Sequence, residues 1–244
     1  MKTFRTLSGL FVSLLFCGMS HAAFAQSTIF NIPSTDTVDF KKVYAEFDFL
    51  PQVPGPDSGS RTYFYNPRVV VGLPGSAEVG VNFPTFHADG TNGYIEPNVK
   101  WKYFKKEDKG LAATAGGILH TALNNRDGQD TWGLVYGNFS KKFKGDHGAR
   151  ITAGPYGVIN KDPVTYAGPR GGAVLGYEQP LSSKISFVAD WFSGKNYYGY
   201  FTPGVMIALP HSQLNAGYSI GNDSWADSNA TKNRYVFLYY GVTF

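Results

Sequence analysis

The chain has one cysteine in 244 residues, Cys17, and no apolar run long enough for a membrane-crossing helix outside its first two dozen positions. Without further thiols, a disulfide framework and a cysteine metal site are both excluded. A spanning helix needs about 20 consecutive apolar residues, so a helical membrane bundle is excluded too. Charge is sparse, at 16% of residues, and nearly balanced. A nucleic-acid partner is not expected, because no strongly basic patch is available to neutralise phosphates. Histidines 87, 120, 147 and 211 lack the i, i+4 or paired spacing of a zinc site, so no metal and no cofactor are expected.

Aromatics make up 16% of the chain, and 29 residues are glycine. At the start, Lys2 and Arg5 precede the apolar run Leu7 to Met19, and Ala23-Phe24-Ala25 has the small-x-small form of a cleavage site. Residues 1–25 therefore read as an export signal. Bulky Phe16 before Cys17 disfavours lipid attachment at that thiol. Removing residues 1–25 takes away Lys2, Arg5 and Cys17, and lowers the formal charge from +4 to +2.

From Lys42 onward the sequence alternates. Val43, Ala45, Phe47 and Phe49 interleave with Tyr44, Glu46 and Asp48. Ile95, Val99, Trp101 and Tyr103 oppose Glu96, Asn98, Lys100 and Lys102. Alternation with period two is the mark of strands with one apolar and one polar face. About twelve such segments can be traced, with weak patterning at 111–122 and 131–142. The connections alternate between short, as at Pro74-Gly75-Ser76, and long, as at 51–65 and 221–233. This pattern predicts an all-β, antiparallel up-and-down transmembrane β-barrel over 42–244, with both termini on the short-turn side. Five prolines, at 67, 97, 155, 169 and 203, are expected near the long-loop ends, where ladder pairing can loosen. Aromatics at 49, 83, 191 and 201 and at 101, 103, 177 and 244 fit two interfacial belts.

The last segment, Tyr235 to Phe244, alternates Val236, Leu238, Tyr240 and Val242 on one face and ends on Phe. There the chain resembles bacterial outer-membrane β-barrel proteins, particularly small transporter and porin-like barrels. The resemblance implies a Gram-negative-type outer membrane, periplasmic termini, contact with outer-membrane lipid, and recognition of the closing strand by the barrel-insertion machinery.

If the apolar face meets lipid, the lumen-lining candidates are Glu46, Asp48, Arg68, Glu78, Asn82, Glu96, Asn98, Lys100, Lys102, His120, Arg150, Glu178 and Asp190. Folding each hairpin about the centre of its long loop sets Asp48 opposite Arg68, Glu78 opposite Lys102, and Arg150 opposite Glu178. Glu46, Glu96, Lys100 and Asp190 are left without an obvious countercharge, which makes them candidates for selecting a solute. Residues 26–41 are expected to form a periplasmic segment or a plug. Function is expected to be passive or facilitated transport of a small polar solute. A closed structural or surface-interaction barrel and a membrane-embedded enzyme are the alternatives. Gly217-Tyr218-Ser219-Ile220-Gly221 has the spacing of a nucleophile elbow, but it lies in an alternating segment with no following His, so no catalytic residue is expected.

Overall fold

A computed structural model describes residues 27–53, 62–87, 90–124, 131–145, 147–160, 168–225 and 233–244. The expected export signal, residues 1–25, and parts of several long connections lie outside the described residues.

The strands are β1 (Val43–Pro51), β2 (Tyr63–Leu73), β3 (Ala77–Asn82), β4 (Thr85–His87), β5 (Thr91–Lys106), β6 (Leu111–Ala122), β7 (Trp132–Lys142), β8 (Arg150–Ile159), β9 (Gly171–Pro180), β10 (Ile185–Phe192), β11 (Tyr200–Leu209), β12 (Ser212–Gly221) and β13 (Arg234–Thr243). Each pairs antiparallel with its neighbours, and β13 closes on β1 with Tyr44 opposite Thr243 and Phe49 opposite Leu238. Because β3 and β4 both bridge β2 to β5, they form one interrupted stave. The result is a closed barrel of twelve staves. Both weakly patterned segments are full strands, β6 and β7.

Closure inverts the usual arrangement of a folded chain. Phe47, Val99, Trp101, Val135, Phe139, Leu175 and Tyr240 face outward and are exposed, whereas Glu46, Glu78, Lys100, His120 and Asp190 are buried. An exposed apolar band around a polar interior is the outside-in pattern of a barrel made for lipid. The turns from β2 to β3 and from β11 to β12 are short, with Gly75, Ser76 and His211 at positive φ. The long connections gather at the other end.

Three of the five prolines depart from the expected placement, while Pro169 precedes β9 and Pro203 stands near the long-loop end of β11. Pro67, Pro97 and Pro155 stand in the middle of β2, β5 and β8 rather than at a rim. The ladder accommodates them by opening on one side. Pairing between β5 and β6 jumps from Ile95–Thr121 to Asn98–Ile118, and pairing between β11 and β12 skips Pro203. A residue with no N–H stands in a closed sheet where one neighbour gives up its bond.

Candidate functional site: the lumen and the segment inside it

Residues 27–38 lie within the barrel, and Asp39, Phe40 and Lys41 are exposed, with the Lys41 N–H donating to the Gly72 carbonyl. Ser27 to Ser34 form a tight hairpin, with the Ile29 N–H donating to the Ile32 carbonyl at 3.0 Å and the Ser34 N–H to the Ser27 carbonyl at 3.0 Å. Its backbone would be costly to bury unpaired, and the barrel wall supplies the missing partners. The N–H groups of Phe30, Asn31 and Ile32 all donate to one oxygen of Asp190, at 2.9, 2.6 and 2.9 Å. The Tyr239 hydroxyl donates to the Ile29 carbonyl at 3.0 Å, and the Asn138 amide donates to the Pro33 carbonyl at 2.6 Å.

Lower in the lumen, the Glu78 carboxylate meets Lys100 at 3.0 Å, the Ser27 hydroxyl at 2.5 Å and the Val38 N–H at 2.7 Å. Lys100 also donates to the Ser27 carbonyl at 2.8 Å. Arg150 forks onto Glu178 at 2.5 and 2.6 Å and reaches Asp36, which stands 3.8 Å from Lys102. Asp36 lies outside the spanning strands. Burial alone would raise its pKa, but the Arg150 charge and hydrogen bond, helped by Lys102 and Lys100, hold it below the ordinary carboxylate value.

Apolar contacts complete the seat. A Cβ on Gly176 would come within 2.4 Å of Ile29 and 2.7 Å of Ile32, so the hairpin occupies the space where a wall side chain would otherwise stand. Gly204 and Gly217, partners in the β11–β12 ladder, leave equivalent room for the Phe30 ring. These notches match the hairpin in shape.

Ten of the thirteen lumen candidates are buried, Asn98, Lys102 and Arg150 are partly exposed, and two of the three expected pairings shift. Arg68 stands opposite Glu46, which it meets at 3.1 Å, while Asp48 stands opposite Asn66, whose amide donates to it at 2.9 Å. Glu78 stands opposite Lys100 rather than Lys102. Arg150 does face Glu178. Glu46, Glu96, Lys100 and Asp190, expected to lack partners, are all engaged. Glu96 takes a hydrogen bond from Asn82 at 3.0 Å and sits 2.7 Å from His120. Asn98 donates to Asn82 at 3.1 Å.

Several lumen residues carried no charge to mark them: Asn138, Ser140, Thr152, Thr202, Asn215 and Gln213 are buried among the strands. Their signal was parity alone, since small polar residues at alternate positions of β7, β8, β11 and β12 face the same interior. Ser219 is one of them. It sits in the lumen opposite Tyr235 and 2.7 Å from the Thr202 hydroxyl, inside β12 rather than on a strand-to-helix elbow. Among the described residues, no group of three or more His, Cys, Asp or Glu could hold a metal ion.

Above the hairpin, toward the long loops, the lumen opens into a cavity of about 500 Å³. Phe30 and Asn31 form part of its floor, and Tyr197 and Tyr198 fold inward as part of its roof. His120 lies between Tyr94 and Trp132, at centroid distances of 4.4 and 4.6 Å, with Tyr197 edge-on at 5.5 Å. The chamber itself is lined by the aromatic Phe64, Phe86, Tyr197 and Tyr235 together with Asp48, Asn66 and Arg68.

No family model and no curated protein matches the chain in sequence. Among solved structures it is similar to an outer membrane channel from Pseudomonas putida F1, at 11% identity over 85% of this chain and 97% of that one, with a TM-score of 0.49. It is also similar to outer membrane phospholipase A from Escherichia coli, at 11% identity over 84% and 90% of the two chains, with a TM-score of 0.45. A porin from Rh. blastica aligns at 10% identity over 83% and 99%, with a TM-score of 0.28. At this level of superposition the likenesses carry no functional weight, and a channel and a phospholipase stand side by side among them.

Proposed function

We propose that this chain is an outer-membrane β-barrel that passes small polar solutes, with the hairpin at residues 27–34 standing in the path. The observation that carries this reading is the lumen itself. Its short-turn half carries charged and polar side chains, it widens into a chamber on the loop side, and the hairpin stands across it packed against wall residues such as Val174, Val188 and Tyr239. A solute would enter between the long loops, meet the charged and aromatic chamber, and leave to the periplasm once the segment yields. Outer-membrane lipid would contact the exposed girdle. The barrel-insertion machinery would read the closing strand that ends at Phe244, and both termini would face the periplasm.

Single-channel conductance of the refolded mature protein in a planar bilayer, with and without residues 26–41, tests this. Openings in the intact protein establish a channel, and openings only after truncation identify the segment as its plug. Silence in both favours a closed structural barrel. The density of bonds holding the hairpin supports that second reading. Charge reversal of Lys100 is expected to change the ion selectivity of the truncated barrel, and unchanged selectivity removes Lys100 from the conducting path.

A further inference from the structure

We infer that the short-turn rim of β5, β6 and β7 binds an anionic phospholipid, with its phosphate on Lys106 and Lys141 and one acyl chain against the outer wall above them. The first observation is where the lysines gather. The connections at 105–109 and 141–147 carry six lysines against Glu107, Asp108 and Asp146. The β2–β3 turn, Pro74-Gly75-Ser76, is uncharged, and the β9–β10 turn holds Lys184 alone. Lys105 pairs with Glu107 at 2.5 Å, whereas Lys106, Lys109, Lys142 and Lys144 are exposed with no acidic partner among the described residues. The two basic connections touch, because the Lys141 ammonium donates to the Lys109 carbonyl at 2.5 Å and the Lys142 N–H to the Gly110 carbonyl at 2.7 Å. Positive charge is thus concentrated on one arc of the rim. A basic cluster at the foot of a lipid-facing wall is complementary to an anionic headgroup.

The second observation is the wall above that arc. In the ladder, Lys106 and Lys141 flank Leu111. Further up the same face, Phe104 and Phe139 flank Ala113, Trp101 and Gly137 flank Ala115, and Val99 and Val135 flank Gly117. The register shift between Trp101 and Phe104 keeps both rings outward and exposed. Such rings sit at headgroup level, where lysine stems lie along apolar surface with their ammonium groups in the polar layer. At Gly117 the wall is hollowed into an apolar groove of about 340 Å³, with Val99, Leu119, Gly133 and Val135 among its sides. The strand from Leu111 to Gly117 is about 20 Å long, and a strand tilt of about 40° makes that roughly 15 Å of membrane depth. This is half of a hydrocarbon core of about 30 Å, the depth of one leaflet. A phosphate held by the two lysines therefore sets a chain across Ala113 and Ala115 with its end in the groove.

The inference needs the barrel to stand in a bilayer and is independent of conduction, so a silent barrel leaves it intact. Native mass spectrometry of the refolded barrel, titrated with equal amounts of dioleoyl phosphatidylglycerol and dioleoyl phosphatidylcholine, tests it. The expected result is saturable retention of phosphatidylglycerol, favoured over phosphatidylcholine by about fivefold or more, the effect of one lysine near an anionic surface. Lys106→Gln with Lys141→Gln is expected to abolish that preference. Lys42→Gln with Lys184→Gln removes as much charge from other parts of the rim and is expected to keep it. Gly117→Leu fills the groove without changing charge, and should weaken phosphatidylglycerol by about fourfold, equivalent to one buried CH₂. Equal retention of the two lipids overturns the inference, as does a preference that survives the Lys106 and Lys141 changes. A preference lost equally with Lys42 and Lys184 would mark a diffusely charged rim and overturns it too. Displacement of the lipid by an equal amount of glycerol 3-phosphate, or an unchanged affinity in Gly117→Leu, would show that the wall holds no chain.

Discussion

The two halves of the lumen are built on opposite principles. Toward the short turns, Glu78, Lys100, Arg150, Glu178 and Asp36 form contacts with one another or with the hairpin. Toward the long loops, aromatic rings stand beside charged groups such as Asp48, Arg68 and Glu96, and a cavity remains. The same inward-facing alternation produces both. What differs is the presence of residues 27–38, which complete the lower half and form only the floor of the upper one. A buried polar network is stable when each member has a partner, so the lower half is suited to holding a segment in place and the upper half to accepting something from outside.

The comparison is broken most strongly by unbalancing the lower half. Lys100→Met leaves Glu78 buried without its countercharge and is expected to destabilise the barrel by about 3–5 kcal/mol, read from the urea midpoint of the refolded protein. Adding Glu78→Leu should return most of that loss, since removing both members of a buried pair costs far less than removing one. If the single change is neutral, the lower lumen is hydrated and the contrast between the halves disappears.

Two smaller changes act on the hairpin alone. Asp190→Ala leaves three N–H groups at the hairpin tip without their acceptor. It is expected to weaken docking by about 1.5–3 kcal/mol, seen as faster protease cleavage near Ser27 while the barrel midpoint falls little. Gly176→Ala places a methyl group where Ile29 and Ile32 now sit and is expected to cost about 1–3 kcal/mol of docking. In a chain lacking residues 26–41 the same substitution should have no effect on stability, because the nearest atoms that the new methyl meets all belong to the hairpin. An equal cost in both backgrounds would show that Gly176 serves the wall.

The barrel was legible because lipid and lumen impose opposite demands on successive residues, as in Phe47 beside Glu46 and Trp101 beside Lys100. Register was harder to read. Thr85 to His87 pair with Thr91 to Gly93, so the β3–β5 hairpin folds about residue 89, whereas centring it one residue later moves the partner of Glu78 from Lys100 to Lys102. The same small shift of fold point exchanged Glu46 for Asp48 opposite Arg68. An error of one residue at the tip moves the partner by two, keeping the correct face and hiding the mistake. The hairpin's seat was not legible, because glycines such as Gly176 record a close approach only once the approaching segment is known. The chamber's aromatic walls were equally concealed, since Tyr197 stands in a loop and its inward fold leaves no periodic trace.

The smallest expected effect is that of acid. Asp36 is held below the usual carboxylate range by Arg150, so its contribution to docking is fully present above the unfolded value of about 3.9 and is lost as pH falls through its lower folded value. Its side chain is 32% exposed, which lets solvent screen the pair, and Arg150 retains Glu178 when Asp36 is protonated. Lowering the pH below about 3.9 should therefore loosen the stretch around Asp36, and at neutral pH the tip at Phe30 to Ile32 is held by Asp190 rather than by this contact. Asp36→Asn should reproduce that partial loosening at neutral pH, and hydrogen exchange at the Val38 and Phe30 amides would separate the two sites. Protection lost equally at both would mean that the segment leaves the lumen as one unit, with the arginine contact holding the whole of it in place.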